Sequence, residues 1–569
     1  MRATRTEVTR RELVLLVVGA YLLAVVMHWP LPLNLGDDVP KDLGDPLVQA
    51  WQVAWDGHAL TNQPLDFFQA NQFWPLDDSL AFSDALIGYV PAGLIGSGPE
   101  AAVARYDVLF LFAYALAFAG GYLLGRELGL GPVGAAVAGA AFAYAPLRLE
   151  HDGHLHIVSS GGIPLALALG LRGYRLWRPW WVLAGFAVAT WQVSLGFSLG
   201  LPLAYLLAGL GLIAAVAWLR RGRPPLPRPL VAATLAGLLL FGATAVVLSR
   251  PYERVQADHP DIVRTPDTVE NFSGPPKVFL VAPEENTVWG GATAELREGL
   301  ENVPEKTLFP GFVTLALAVA GLVAGVFPLG LRVGLGLGVV AVSVLALGFQ
   351  VEDGWLWPYR IAYDVLPGVD GIRVPGRLVT FSSLGLALLA GAGAEAARRA
   401  LARRAGDTRP RRAATVTAGL AAALVLAVAV EGRGLPFDPG DDHAQPAAPA
   451  SPIAFSALAE PQLHLPADRP EDNRRYLLWS TDGFPKMVNG RSSLDPTFTF
   501  GLIDDVHDFP DRASVELLSE VGVRSVALHT PRVAGPAWED AAQRPIRGLP
   551  LTRTREGDVV VYEIRSPAG

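Results

Sequence analysis

The sequence predicts a polytopic α-helical membrane protein that ends in a small soluble α/β domain. Of the 569 residues, 51% are hydrophobic and only 18% are charged, whereas soluble domains are about a quarter charged. The mean hydropathy is +0.32, and long apolar runs recur along most of the chain. Near the C-terminus these runs give way to shorter, alternating patterns. Most of the chain is therefore expected in lipid and its end outside it.

Eleven apolar segments are long enough to cross a bilayer, which takes about 20 residues. The first segment is too long for a signal peptide and lacks a small-residue cleavage site, so we expect it to be retained. A twelfth stretch, 80–96, contains Ser83, Asp84 and Pro91, and we interpret it as re-entrant or interfacial. The eleven segments are 12–33, 103–127, 132–149, 156–175, 180–196, 198–219, 229–249, 308–327, 329–349, 376–396 and 413–431.

Basic residues orient these segments, because cytoplasmic connections carry an excess of Lys and Arg. With eleven spans, the N-terminus and four later basic connections all lie inside, whereas a crossing at 80–96 would invert the later ones. Arg outnumbers Lys, which is typical of a high-GC bacterial genome. We therefore expect a multi-pass protein of a bacterial inner membrane with a cytoplasmic N-terminus and an extracytoplasmic C-terminal domain. The orienting residues are Arg2, Arg5, Arg10 and Arg11; Arg172, Arg175 and Arg178; Arg220, Arg221, Arg223 and Arg228; Arg332; and Arg398, Arg399, Arg403, Arg404, Arg409, Arg411 and Arg412.

The chain divides into a transmembrane domain at 1–433, a Pro/Ala/Asp-rich linker at 434–452 and a soluble α/β domain at 453–569. Three outer connections of the transmembrane domain are long enough to fold, namely 34–102, 251–307 and 350–375. In the soluble domain the patterns predict strands at 475–479, 525–529 and 558–564, and an amphipathic helix at 514–521.

Composition excludes several kinds of site. The chain has no cysteine, so disulfides, zinc–thiolate sites and cysteine nucleophiles are ruled out. No basic stripe with interleaved aromatic residues is present, which argues against a nucleic-acid partner.

The first outer connection is rich in Asp, and three of these residues are candidate catalytic groups: Asp37, Asp38 and Asp45. A carboxylate near the membrane interface can serve as a general base or a metal ligand. Asp45 begins a helix-like stretch in which Trp51 and Trp55 share a face, so we expect an interfacial helix that the tryptophans anchor. The alternative is a solvated acidic loop.

Two further polar groups lie on the predicted outer side. The connection after the third span carries Arg148, His151, Asp152, His154 and His156, and such residues this close to a bilayer are costly unless they are used. These residues form either a polar surface that binds a phosphate or sugar, or a polar turn at the membrane interface. The spacing of His154, His156 and Asp152 matches no known metal motif.

The second group is Arg373 and Arg377, which precede the tenth span. Arg binds phosphate in bidentate fashion, so Arg373 is a candidate ligand of a lipid phosphate. The alternative is an ion pair with Asp370 or Asp364. Weaker candidates of the same kind, all from the second long outer connection, are Arg254, His259, Arg264 and Glu305.

The layout resembles the GT-C superfamily of membrane glycosyltransferases, with an acidic first outer loop, a long outer loop after span seven and a soluble extracytoplasmic end. The local sequence is similar to bacterial YfhO-like membrane proteins over nearly the whole chain, although each motif is short. We add Asn71, which lies in one of these motifs, to the candidate substrate-binding residues. The matching stretches are 44–47, 50–51, 54–56, 70–75, 151–154, Glu305 with 308–311, 371–375 and 476–490.

The resemblance implies an inverting glycosyltransferase that uses a polyprenyl-phosphate sugar as donor, with a glycan, a lipid or another molecule as acceptor. By position, the family's catalytic acid corresponds to Asp45 or Asp38. The paired Asp-Glu of the protein-mannosylating branch is missing, so a protein acceptor is not implied. The resemblance implies no certain cofactor and leaves a divalent metal open.

The alternative is a non-catalytic membrane protein that binds or transports a lipid-linked glycan. Few charged residues in the spans are available to line a polar path, which favours the enzyme. Because nearly all unusual polar residues outside the tail fall on the outer side, we expect Asp45 and His154 to line one shared outer cavity.

Overall fold

The computed structural model describes residues 7–262, 264–350, 357–405, 410–434 and 447–565. Arg2, Arg5, Arg409 and most of the predicted linker lie outside the described residues. The chain forms two compact units. Unit 1 consists of Met1–Pro32, Leu109–Val246 and Arg264–His443, and unit 2 consists of Leu33–Val108, Val247–Val263 and Ala444–Gly569.

The structure is mostly helical, with one small sheet near the C-terminus. The helices are α1 (Arg10–Met27), α2 (Asp45–Asn62), α3 (Val90–Gly93), α4 (Gly98–Leu128), α5 (Pro132–Ala143), α6 (Leu155–Val158), α7 (Gly162–Leu176), α8 (Pro179–Ser194), α9 (Phe197–Arg220), α10 (Arg228–Asp258), α11 (Pro266–Asn271), α12 (Ala294–Arg297), α13 (Phe312–Val323), α14 (Leu329–Ala346), α15 (Pro358–Val365), α16 (Val379–Ala405), α17 (Pro410–Glu431), α18 (Pro470–Trp479), α19 (Thr497–Asp505) and α20 (Arg512–Val521). The strands are β1 (Gln462–Leu465), β2 (Ser525–His529), β3 (Leu551–Glu556) and β4 (Val559–Ile564).

Within the described residues, six helical segments are long and apolar enough to cross a membrane: α4, Leu155–Leu176, α9, α10, α14 and Pro375–Arg403. Shorter apolar helices are Pro132–Ala143, Phe312–Val323 and Thr415–Glu431. The predicted number of eleven spans is not confirmed and stays a prediction. The stretch 80–96 contains only α3 and short 3₁₀ turns, so it holds no helix long enough to cross. Leu80 and Phe82 of this stretch are buried in the core of unit 2. Burial in protein, rather than in lipid, therefore explains why the stretch is apolar.

The orientation of the chain also stays a prediction. We expect reporter fusions at Gly222, in the turn after α9, and at Gly406, outside the described residues, to report a cytoplasmic location. The physical reason is that both positions lie among the Arg clusters that the positive-inside rule retains in the cytoplasm. An extracytoplasmic signal from either fusion would contradict the eleven-span topology.

The helices of unit 1 pack closely around α16, which contacts α5, α13 and α14. Glycines allow the backbones of neighbouring helices to come close together. A Cβ atom on Gly321 of α13 would lie 1.9 Å from the carbonyl oxygen of Leu389, and one on Gly393 of α16 would lie 2.1 Å from that of Leu317. Small residues at such crossings are typical of helix packing in membranes, where association depends on close van der Waals contact.

Unit 2 is built on a four-stranded sheet with the order β1-β2-β4-β3. Strands β1 and β2 are parallel, and the other pairs are antiparallel. The predicted strand at 525–529 is confirmed as β2, and that at 558–564 as β4. The helix predicted at 514–521 is confirmed as α20, which Asp511 caps by accepting a hydrogen bond from the Ser514 N–H at 2.9 Å.

The strand predicted at 475–479 is wrong, because these residues form the end of α18. The helix begins with Pro470 in its first turn, followed by Glu471 and Asp472, and these are start signals of a helix. They outweigh the strand preference of Tyr476 and its apolar neighbours. Tyr476 and Trp479 are nevertheless buried, as a core segment of either kind would be.

The first outer connection packs with the C-terminal tail inside unit 2. Helix α2 starts at Asp45 as predicted and contacts α18. Trp51 and Trp55 are 0% and 2% exposed and share a cluster with Leu477 and Met487. The prediction that they anchor the helix at a membrane interface is therefore wrong, since protein covers both indole rings.

Candidate functional site

Three short 3₁₀ turns from separate parts of the sequence pack together in unit 1. They are Pro146–His151, Val303–Lys306 and Pro375–Leu378. They bring together four candidate binding residues that are spread over more than two hundred positions of the sequence. We call these residues the turn cluster; its members are Arg148, His151, Glu305 and Arg377.

A buried ion pair fixes two of the turns. The side chains of Glu305 and Arg377 are 9% and 11% exposed. Arg377 donates from Nη2 to Oε1 of Glu305 and from Nε to Oε2, the latter at 3.3 Å, and its Nη1 lies 3.3 Å from Nε2 of His156. Burial alone would raise the pKa of Glu305, but the Arg377 guanidinium holds it well below its usual range. The carboxylate is therefore charged, and the ion pair joins the two turns.

Arg148 is buried without a carboxylate partner. It is 4% exposed and donates to Ser160 Oγ at 2.9 Å and to the Val158 carbonyl at 2.7 Å, and its Cζ lies 5.2 Å from the centre of the Tyr114 ring. Its guanidinium makes no ion pair with the described residues, and Nε has no hydrogen bond there. A buried cation is costly unless it is paired, so this position is suited to an anionic ligand.

The three histidines form an aromatic row beside the cluster. The ring centres of His151 and His154 are 5.6 Å apart, and those of His154 and His156 are 5.9 Å apart. Burial lowers the pKa of His151 to about 3, so its imidazole is neutral at physiological pH. Across the described residues, no group of three His, Cys, Asp or Glu side chains is placed to hold a metal ion. Asp152 instead accepts a hydrogen bond from the Tyr114 hydroxyl.

Arg373 lies with its Cζ 5.0 Å from the centre of the Phe272 ring. The nearby carbonyl of Gly371 accepts a hydrogen bond from Arg264, which holds this loop in place. Asp364, one of the partners considered for Arg373, pairs with Arg360 at 2.8 Å instead. The role of Arg373 as a phosphate ligand stays a prediction.

In unit 2, Asp45 lies in the first turn of α2 with 44% of its side chain exposed. Its Oδ1 is 3.7 Å from Nη2 of Arg474 in α18. Arg474 was not predicted from the sequence, because a contact between residues so far apart in the chain leaves no local signal. Both the helix start and Arg474 fix the position of this carboxylate.

The rivals of Asp45 have different surroundings. Asp37 is exposed, whereas Asp38 is 7% exposed and accepts a hydrogen bond from Asn34 at 2.8 Å. Asp107 was also not predicted from the sequence. It is fully buried, accepts a hydrogen bond from the Gly36 N–H at 3.0 Å and interacts electrostatically with Asp38. Its position as a single Asp in a predicted apolar span could have marked it as a candidate, because ionisable residues within spans usually have a functional role.

Asn71 has a structural role in unit 2. It is 3% exposed, and its carbonyl accepts the Trp51 indole N–H at 2.9 Å. Its amide donates to Ser480 Oγ at 3.1 Å and to the Pro485 carbonyl at 3.0 Å. Because these bonds use the whole amide, we do not include Asn71 among the proposed binding residues.

The shared outer cavity stays a prediction, since Asp45 belongs to unit 2 and His154 to unit 1. Each unit therefore contains its own candidate groups: the candidate catalytic carboxylates lie in unit 2, and the turn cluster with its neighbouring histidines lies in unit 1.

Comparisons with known proteins give only distant likenesses. No protein-family model matches the chain, and no curated protein matches it. The crystal structure of the Archaeoglobus fulgidus oligosaccharyltransferase in the apo form shares 13% identity at a TM-score of 0.49, over 91% of this chain and 70% of that one. A cryo-EM structure of the arabinofuranosyltransferase AftD from mycobacteria shares 15% identity at a TM-score of 0.48, over 99% of this chain and 42% of that one. Likenesses at this level carry no argument about fold or function.

Proposed function

We propose that this chain is a membrane glycosyltransferase that transfers a sugar from a polyprenyl-phosphate donor to an extracytoplasmic glycan, lipid or other acceptor. The observation that carries the proposal is the turn cluster, where Arg148 is buried without an ion pair in the described part of the chain. A buried guanidinium without an ion pair is suited to bind an anionic ligand. The surrounding helices are long and apolar, which suits an anion carried by a lipid.

The chemistry requires two kinds of group. When the bond between the sugar carbon and the donor phosphate breaks, its electron pair stays on the phosphate oxygen, and cations stabilise the charge that develops there. The acceptor hydroxyl forms the new bond to the sugar and loses its proton to a base. Attack on the face opposite the leaving phosphate inverts the sugar configuration, as the GT-C resemblance implies.

The proposed roles follow from the surroundings of each residue. Asp45 is the base, because its carboxylate is exposed and its position is fixed, with Asp38 and Asp37 as rivals. Arg373 is the main phosphate ligand, and His154 assists it. Arg148, His151 and Arg377 complete the binding surface, with Glu305 holding Arg377 in place.

Replacing Arg373 by alanine is expected to raise the donor concentration needed for half-maximal transfer by about tenfold or more, because a hydrogen bond to a charged group is lost. The measurement is sugar transfer by the full chain in proteoliposomes at increasing polyprenyl-phosphate sugar. Arg360→Ala is the matched control, since Arg360 lies in the same outer connection and pairs with Asp364 at the surface. An unchanged donor dependence in Arg373→Ala would remove Arg373 from the site. If the wild type binds the lipid donor but transfers no sugar from it, the carrier function is favoured instead.

A further inference from the structure

Helix α15 carries exposed apolar side chains on one face. Ile361 and Val365 lie one helical turn apart on that face and are 45% and 68% exposed. We call these two residues the apolar stripe. A neighbouring face of the helix carries Arg360 and Asp364, which are exposed and form an ion pair at 2.8 Å. Because the apolar face points away from the protein core, a neighbour outside the chain is expected to cover it.

The start of α15 is attached to the end of α14, which is long and apolar enough to cross a membrane. Trp357, directly before α15, donates its indole N–H to the carbonyl of Gly348, two residues beyond the end of α14, at 2.6 Å. The ring centres of Tyr359 and Tyr363 lie 5.1 and 5.3 Å from that of Phe349. Helix α15 therefore begins where an apolar span ends.

The end of α15 lies beside a second candidate span, α9. The Pro367 carbonyl, two residues after α15, accepts a hydrogen bond from the Tyr205 hydroxyl at 2.7 Å. A Cβ atom on Gly368 would lie 3.3 Å from the Leu201 side chain of the same helix. Tyr205 is the ninth residue of α9, so its backbone lies about 12 Å along the axis from the start of the helix. The end of α15 thus lies beside the flank of an apolar span and not beyond its tip.

Lipid is the neighbour that these two attachments indicate for the apolar stripe. Both α9 and α14 are apolar and mostly exposed on the protein surface, and in a membrane protein such surfaces are covered by acyl chains. Because α15 is attached to both helices, its apolar stripe adjoins that surface. An amphipathic helix in the membrane interface buries its apolar face about 5–10 Å into the boundary between headgroups and acyl chains, while its charged face meets water.

We propose that α15 lies in the membrane interface with the apolar stripe among acyl chains, and that this contact holds Arg373 at the depth of the lipid phosphates. Helix α15 contacts the turn Val369–Gly371, and the Gly371 carbonyl accepts a hydrogen bond from Arg264. Arg373 follows two residues later in the same loop. The membrane contact is independent of the proposed function, whereas the consequence for Arg373 rests on it.

Spin labels test the membrane contact directly, and the absence of cysteine from the chain allows each label to be placed at a single site. The variants are Ile361→Cys, Val365→Cys and the control Asp364→Cys, each as the full chain in liposomes. Oxygen concentrates among acyl chains, whereas a charged or chelated nickel complex stays in water. The labels on Ile361→Cys and Val365→Cys are therefore expected to relax more with oxygen than with nickel, and the label on Asp364→Cys the reverse.

Two results would overturn the membrane contact. Stronger relaxation by nickel at both stripe positions would place the stripe in water. Immobile labels shielded from both reagents would show that a second copy or another protein covers the stripe instead of lipid.

A double variant tests the consequence for Arg373. Ile361→Asn with Val365→Asn is expected to raise the donor concentration needed for half-maximal transfer by about threefold to tenfold, because two apolar side chains no longer favour the acyl layer. Thermal stability in detergent should stay that of the wild type, since the protein core does not cover the stripe. The control Arg360→Asn with Asp364→Asn changes two side chains on the charged face and is expected to leave the donor dependence within about twofold.

The two tests separate this inference from the proposed function. An unchanged donor dependence in the stripe variant would overturn the link between α15 and Arg373, while wild-type transfer still supports the glycosyltransferase. Labels that report lipid in a wild type that transfers no sugar would retain the membrane contact and remove the proposed function.

Discussion

Asp45→Asn is expected to reduce sugar transfer at least about 100-fold, while expression and donor binding stay nearly unchanged. Asparagine keeps the size of the side chain and an acceptor oxygen, but it cannot take the proton of the acceptor hydroxyl. General-base catalysis contributes about 10²–10⁴ to a rate. Because 44% of the Asp45 side chain is exposed and its contact with Arg474 is long, at 3.7 Å, its replacement should cost little stability. The measurement is the initial rate of transfer at saturating donor and acceptor.

Matched variants separate the base from its rivals. Asp66→Asn is the control, since Asp66 is an exposed acid of the same outer connection with no assigned role. Full activity in Asp45→Asn together with a large loss in Asp38→Asn would move the base to Asp38, which is the more buried of the two. If the Asn variants of Asp37, Asp38 and Asp45 all retain full activity, the carrier function is favoured over the enzyme.

Local patterns in the sequence predicted local structure well. The strand at 525–529 and the helix at 514–521 are set by side-chain periodicity and by the Asp511 cap, and both signals lie within a few residues. The start of α2 at Asp45 follows in the same way from Pro46 in its first turn. These signals need no knowledge of distant parts of the chain.

The errors arose where one pattern has two physical explanations. Trp51 and Trp55 on one face of a helix suit a membrane interface as well as a protein core. Only the tail residues Leu477 and Met487, which cover them, distinguish the two. The same ambiguity affected 475–479, where apolar and aromatic residues fit a buried strand or a buried helix alike.

The candidate site was predictable as a set of residues but not as an arrangement. Arg148 was singled out because charged residues beside a bilayer are costly. Arg377 was singled out because Arg binds phosphate, and Glu305 as a weaker candidate in the same group. That Arg377 pairs with Glu305, and that the turn of Glu305 lies against the turn of Arg148, depends on long-range packing.

Glu305→Gln is expected to destabilise unit 1 by about 3–5 kcal/mol, the usual cost of removing one partner from a buried ion pair. Glutamine leaves the Arg377 guanidinium buried, at 11% exposure, without a compensating charge. The double variant Glu305→Gln with Arg377→Met should recover much of the loss, because replacing both charges is often close to neutral. Thermal unfolding of the full chain in detergent measures both effects.

The pH dependence provides a separate check on the same pair. The folded-state pKa of Glu305 is depressed below the ordinary value of 4.5, so its contribution to stability is present above about pH 4.5 and is lost as pH falls further. Glu305→Gln should remove this part of the acid-induced loss. The control Asp364→Asn breaks the exposed pair with Arg360, and such pairs contribute about 0–1 kcal/mol. Equal destabilisation by the two variants would show that the Glu305–Arg377 pair does not hold the two turns together.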